Sequence, residues 1–544
     1  MRSTGVGRFG TRTGGAVFFF LAALAMAILR GGQGRATIIP DHRRVAKTWV
    51  LIAAIVGSAM SFIDGTAVNV ALPILQKDFG ADGGAVQWVV EGYSLFLSSL
   101  ILLGGSLGDL YGRKRCFLIG VGIFAFASLG CAFAPSIDVL IVARCLQGVG
   151  GALMMPESLA LISATFTGAE RGRAIGTWSA FASITGAAGP IIGGYLAQHA
   201  SWRWVFLLNL PLAVVVFAVS WRGYAESRDE EMVRRLDVAG AVLATIALGL
   251  LTFGLIHSEG AAPDALAWSA LVASVVLGAA FVVVERRSPA PMLPLRLFRS
   301  KTFSGANVYT LLLYAAIGGS LYFLPFVLID VHGYAPSAAG AALLPFILLQ
   351  FFLARWSGGL IARFGARLPL LAGALIAALG FAAFALPGLD GSYWTTFFPA
   401  AVLLGIGGVF FVAPLTTTVF DAVDTAESGV ASGVNNAVAR TAGLLAIALF
   451  GFILAGVFVN GMGARVAREH LSPATQRVVH DQIGKLYGGS VPRDVPARDR
   501  DAVARAVREG YLAGFRAVMG ASVIVCVLAA GVALVSIPGR LRSA

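Results

Sequence analysis

A chain of 544 residues of which 57% are hydrophobic and 13% charged, with a mean hydropathy of +0.81, does not fold as a set of soluble domains and needs lipid as its solvent. Its formal charge of +13 would point to nucleic acid in a soluble protein, but here the Lys and Arg residues stand between apolar runs, where they act as topology signals at an anionic membrane surface. Cys116, Cys131, Cys145 and Cys526 fall in or beside those runs without a CxxC pair or a histidine at ligand spacing, so they read as small packing residues and not as a disulfide framework or zinc site.

In residues 1–47, Arg2, Arg8 and Arg12 precede a short apolar run (16–29), with Arg30 and Arg35 after it and no A-x-A cleavage site. This segment is either a cytoplasmic or interfacial extension or the product of a start placed upstream of Met26. GVGRFG (5–10) has the spacing of a dinucleotide loop but neither a strand before it nor a helix after it. No GxxxxGK[ST] occurs, which removes direct ATP drive by this chain.

A membrane-crossing helix needs about 20 apolar residues. Such runs lie near 48–74, 85–107, 116–134, 138–161, 174–197 and 203–221; near 236–256 and 266–284; and near 303–328, 337–361, 368–387, 395–420, 429–457 and 513–535. The expected fold is therefore an all-α integral membrane protein with fourteen transmembrane helices: six in 48–221, two within 222–302 and six in 303–544. Alternate connections differ in basic content. One set carries Arg113, Lys114 and Arg115, then Arg171 and Arg173, then Arg222, Arg228, Arg234 and Arg235, then five residues from Arg286 to Lys301, then Arg363 and Arg367; the intervening short loops offer Lys77 and Arg203. That asymmetry places both termini in the cytoplasm. The connection 458–512 opposes the rule with nine basic residues, but long loops translocate largely regardless of charge. Within it, residues 500–515 space Val503, Val507, Tyr511 and Phe515 four apart, which predicts an amphipathic helix on the outer surface leading into the last span.

Four motifs follow in order: SFIDGTAVNVALPIL (61–75), GGSLGDLYGRKR (104–115), RCLQGVGGALMMP (144–156) and GAAGPIIGG (186–194). Together with WRWVFLLNLP (202–211), GYAPSAAGAALLP (333–345) and GVASGVNNAVARTAG (429–443), they resemble the major facilitator superfamily, and within it the 14-spanner drug:proton antiporters of the EmrB/QacA type. Leu110 stands where the second motif usually has a basic residue. GGLIARFGAR (358–367) echoes that motif in the second half and lacks its aspartate. The resemblance implies two six-helix bundles with two inserted helices, rocking about a site between the halves, and proton-driven export of amphipathic and often cationic drugs, dyes or biocides. It implies protons and a small molecule as ligands, no cofactor and no nucleic acid. In a Gram-negative cell it also leaves room for a periplasmic adaptor and an outer-membrane channel. A specific native metabolite, siderophore or lipid-like substrate is the rival reading. An intramembrane lipid-modifying enzyme stands further off, because no histidine pairs with an acid at catalytic spacing within a span.

Ionisable groups at membrane depth are expensive and are functional candidates by default. At a rise of about 1.5 Å per residue, Asp64, Arg144 and Glu91 fall at one level in the outer half of the membrane and Arg440 falls near its middle. These four are the candidate proton and substrate residues. A static Asp64–Arg144 pair fixing helix packing is the alternative, Glu91 is equally well read as facing a polar seam, and Arg440 either lines a cavity or packs with Asn435 and Asn436. Glu157 and Arg355 come out near the cytoplasmic interface, where snorkelling or gate pairing would serve them. Gly105, Asp109, Gly112 and Arg113 are the candidates for a cytoplasmic gate. Gly189, Pro190, Gly193 and Gly194, with Gly186, form either a packing face or a hinge against leak, and the resemblance favours the hinge.

The topology makes one direct prediction. A cysteine at Gln482, in the long connection, should be labelled from outside by an impermeant thiol reagent; labelling only after permeabilisation would overturn the fourteen-span order.

Overall fold

Backbone amides in hydrocarbon find no water, so each apolar run closes its hydrogen bonds on itself as a helix. The structure, a computed structural model, describes residues 42–227, 236–258, 263–289, 291–389, 392–423, 428–468, 471–481 and 495–539, and every regular element among them is helical. The N-terminal half comprises α1 (His42–Phe79), α2 (Gly83–Tyr111), α3 (Arg113–Ala132), α4 (Ile137–Thr165), α5 (Gly168–His199), and a last span formed by α6 (Arg203–Leu207) and α7 (Asn209–Gly223). Next come α8 (Val238–His257) and α9 (Ala265–Arg287). The C-terminal half contains α10 (Lys301–Phe326), α11 (Pro336–Ala341) with α12 (Leu344–Gly358), α13 (Leu360–Phe364), α14 (Arg367–Phe384), α15 (Phe397–Asp421), α16 (Ser428–Arg468), α17 (Pro473–Asp481) and α18 (Arg500–Ser536).

Among the described residues, thirteen helical segments are long and apolar enough to cross a membrane, and they coincide with thirteen of the fourteen runs expected from sequence. The remaining run, 174–197, falls in α5, a 32-residue helix outside that set. The first helix begins at His42, inside the segment expected to be an extension to residue 47; the apolar run 16–29, GVGRFG and Gln482 lie outside the described residues.

Short polar side chains start several helices by accepting a first-turn amide. Asp82 accepts from Ala85 N (2.7 Å), Asp237 from Gly240 N (2.7 Å) and Asp264 from Ala267 N (2.8 Å). The two inserted helices form a hairpin. Its first member, α8, packs on α2 and α16, with Gly249 against Leu95 and Gly84 against Ile256; its second, α9, packs on α8 and leaves Val272, Val275 and Val276 exposed. An apolar helix face with no protein partner suits lipid.

The stripe Val503, Val507, Tyr511 and Phe515 does not lie on a membrane surface, because α18 runs without a break for 37 residues, or about 55 Å, against a hydrocarbon core of about 30 Å. At the same end α16, 41 residues long, also overruns the membrane, and the first two residues of the stripe pack against it. Val503, Ala506 and Val507 join Phe458, Met462, Val466, Leu471, Val479 and Val495 in a separate apolar cluster. Ser472 and Thr475 at the start of α17 both donate to Asp499 (3.0 and 2.5 Å), which fastens the crossing segment to the foot of α18. Where the connection drawn as 458–512 is described it is mostly helical, and the amphipathic pattern records a protein partner instead of a lipid surface.

Candidate functional site

The glycines of RCLQGVGGALMMP bring two helices, α2 and α3, against α4, which carries Arg144. A Cβ at Gly148 would run into the backbone of Tyr93 and Leu97 on α2, and one at Gly150 into the backbone of Phe124 and Gly120 on α3. Small residues allow this approach where lipid gives no hydrophobic drive between helices. The result is an ion pair sealed inside the N-terminal half, with Asp64 0% and Arg144 1% exposed. Arg144 Nη1 donates to Asp64 Oδ2 and to Gln147 Oε1 (2.7 Å), while its Nε donates to the carbonyl of Val89 (2.8 Å). Gln147, one turn along the same face of α4, donates to Asp64 Oδ1 (2.8 Å) and to Ser128 Oγ (3.0 Å). Asn209 at the start of α7 donates to the same two acceptors, each at 3.2 Å. Five helical elements, α1, α2, α3, α4 and α7, thus meet on one carboxylate and its guanidinium. Removing one partner of such a pair costs about 3–5 kcal/mol, because the other charge is left buried alone.

The network extends toward the other half through Tyr93. Its ring lies under the guanidinium of Arg144 (4.4 Å), its hydroxyl shares a hydrogen with Ser61 (2.5 Å), and the charge of Arg440 on α16 reaches it. Arg440 is half-buried and Glu91 is fully buried two residues from Tyr93. Asn435 donates to Asn307 (3.1 Å) and Thr310 (2.7 Å) on α10, and Asn436 turns back to the carbonyl of Ser432. Sequence placed Asp64 and Arg144 at one depth; it missed Gln147, Asn209, Ser128 and Tyr93, although Gln147 and Asn209 sit inside the quoted motifs.

The end that carries Arg113, Arg171 and Arg363 is built on the α2–α3 turn. Arg113 donates to Asp109 Oδ1 through Nε (2.8 Å) and Nη2 (2.7 Å). Gly112 takes φ +109°, a conformation open to glycine, and a Cβ there would meet the Glu226 carboxylate. That carboxylate accepts the amides of Lys114 (2.8 Å) and Arg115 (3.0 Å), so a residue 112 positions away caps α3 where the helix dipole favours negative charge. Lys114 in turn donates to the Tyr224 carbonyl (2.7 Å) and sits over its ring, and burial raises the Tyr224 phenol to about 12, which keeps it a neutral partner for Ser220. Gly105 is not a close-packing position, since a Cβ would stand 3.6 Å from Pro156; Gly104 and Gly108, pressed against Ala152 and Glu157, fill that role. Glu157 is fully buried, so it does not snorkel; the side chain of Arg355 lies outside the described residues.

At the opposite end GAAGPIIGG joins the halves. Gly189 and Gly193 admit Thr66 and Ala67 of α1, Gly194 admits Pro336, and Gly340 on α11 in turn admits the carbonyl of Pro190; around Gly186 there is open space. Gln198 Oε1 accepts from Ser337 N (3.2 Å) and Oγ (2.5 Å), and Lys77 pairs with Asp330 (2.6 Å) across the same seam. A methyl group at Gly340 has only backbone to push on. Gly340→Ala should therefore disfavour this closed arrangement by about 1–3 kcal/mol. Disulfide formation between cysteines placed at Gln198 and Ser337 should fall accordingly, and an unchanged yield would refute the seam.

Comparison with known proteins agrees with this geometry. The Major Facilitator Superfamily model matches residues 54–448. The multidrug resistance protein Stp of Mycobacterium tuberculosis is 35% identical over 485 residues, covering 86% of this chain and 87% of that one. The tetracenomycin C resistance and export protein of Streptomyces glaucescens is 32% identical over 487 residues, covering 89% and 90%. Among solved structures, a bacterial homolog of the human lysosomal transporter Spinster shares the fold with a TM-score of 0.64 at 17% identity, over 90% of this chain and 97% of that one. A transporter's helices, a buried charge network between them and a seam between two halves are what this chain presents: it is a multi-pass membrane transporter, not an enzyme, and it belongs to the major facilitator superfamily.

Proposed function

We propose that this chain is a proton-coupled antiporter that exports small amphipathic molecules across the cytoplasmic membrane, with fourteen spans, both termini inside and the Arg113 end facing the cytoplasm. The names of its relatives, multidrug and antibiotic resistance or export proteins, support the substrate class, and the Lys and Arg distribution supports the orientation. The observation that carries the mechanism is the sealed Asp64–Arg144 pair. A proton arriving on Asp64 cancels the attraction that holds Arg144, and Arg144 is the group on which Tyr93 rests. Loss of that contact alters the surface that Tyr93 offers to α16 and Arg440, so protonation inside one half is felt by the other. An outgoing substrate then needs only to prefer the arrangement in which Asp64 has released its proton.

A dedicated exporter of one natural product is the second reading. It is favoured by relatives whose names specify a single compound, among them the puromycin resistance protein of Streptomyces alboniger and the cephamycin export protein of Amycolatopsis lactamdurans. Proton-driven export in everted vesicles against a compound panel separates the two: many amphiphiles carried, or one.

Asp64→Asn keeps size and polarity and can still meet Gln147 and Asn209, but it cannot take up or release a proton near neutrality. Uphill export should fall to background while the protein remains folded and inserted. Export against a gradient with unchanged pH dependence would place the coupling group elsewhere, with Glu91 next in line.

A further inference from the structure

Glu157 lies thirteen residues beyond Arg144 on α4, about 20 Å toward the Arg113 end, and belongs to none of the networks described. Its side chain is 0% exposed, and neither carboxylate oxygen has a hydrogen-bond donor among the described residues. The carboxylate presses on Gly108 of α2, where even a methyl group would collide with it. A glycine has made room for an acid, in the middle of the motif that forms the gate.

Among the described residues its surroundings offer it no free cation. Asp109 faces it from α2, Arg113 and Cys116 from α3, and Glu226 from the segment after α7. Arg113 is held by Asp109 at 2.7 Å. The nearby hydroxyls are also engaged: Ser58 of α1 donates to Ser158 (2.8 Å) and accepts from Trp178 of α5 (3.0 Å), and Ser158 donates to the Met155 carbonyl (2.8 Å). Farther along, α1 and α5 pair their own charges, Lys47 with Glu170 at 2.6 Å. An ionised carboxylate here would be buried with Asp109 and Glu226 nearby, a cost of several kcal/mol that Arg113, already held by Asp109, offsets only in part.

We propose that Glu157 is a second proton-binding site, separate from Asp64, which carries its proton while α2 and α4 are closed at Gly108 and loses it when that contact opens to water. Proton occupancy at Glu157 thereby favours the packed form of the α2–α3 gate, and ionisation favours the open form. The inference deepens the reading of the chain as a proton-coupled transporter and assigns the gate its own proton.

The test needs neither substrate nor gradient. Infrared spectra of the purified full-length protein, titrated with pH, should show a protonated carboxylic acid C=O band at neutral pH. Glu157→Gln should lose that band, Asp64→Asn should retain it, and Gly108→Ala, which displaces the carboxylate without removing it, should shift it. In the same preparations, thiol reactivity of a cysteine at Ser106 should rise with pH in the wild type and stay low at every pH in Glu157→Gln. A spectrum unchanged by Glu157→Gln would show the group already ionised, and an equal rise in reactivity in both proteins would sever it from the gate. Either result sinks this proposal even if export proves proton-driven, whereas loss of proton-driven export alone would leave it standing.

Discussion

Hydrocarbon solvates no charge, and the Asp64–Arg144 pair is where this constraint weighs most on the fold. Neither group can leave the interior without the other, and each needs further donors and acceptors to complete its shell. The N-terminal half supplies them from α1, α2, α3, α4 and α7 at once, so the pair fixes the relative heights of elements that apolar packing alone would let slide. On the proposed mechanism the same arrangement makes the pair a switch, because a proton on Asp64 would remove one member of a set on which every other member depends.

The two ends of the molecule are held by different physics. At the Arg113 end the contacts are charge-assisted: Asp109 on Arg113, Glu226 on the first amides of α3, Lys114 over Tyr224. Such contacts respond to protons, to salt and to water entry. At the opposite end the seam between halves is mostly glycine against backbone, Gly194 on Pro336 and Gly340 on Pro190, with one ion pair, Lys77 with Asp330, at its edge. Close-packed backbone excludes water and ions and gives way only by separating. An alternating-access transporter of the kind proposed would have use for both, a close-packed seam at one end and charge-assisted contacts at the other.

Much of this was legible in the sequence, because bilayer physics writes itself into composition. Apolar run length placed the helices, as α1, α2 and α10 show, and depth arithmetic brought Asp64 and Arg144 to one level. What one-dimensional counting lacks is rotation about each helix axis and the register between helices distant in sequence. Depth alone puts Glu157 near the cytoplasmic interface, where snorkelling or gate pairing would serve it; the fold seals it against Gly108. Glu226 reaches α3 from more than a hundred residues away, and Asp330 meets Lys77 from the other half; no local pattern announces either. The stripe on α18 had the right period and the wrong partner, since an amphipathic face cannot say whether lipid or the overrun of α16 covers it.

On the proposed mechanism a proton leaves Asp64 as substrate is accommodated. Adding a transported compound to purified protein in weakly buffered solution, and recording the pH, measures this without membranes or gradients. Wild-type protein should release protons in proportion to the substrate bound, and Asp64→Asn should bind the compound and release fewer. Equal release from both proteins would show that the buried pair is a structural fixture and that coupling resides elsewhere.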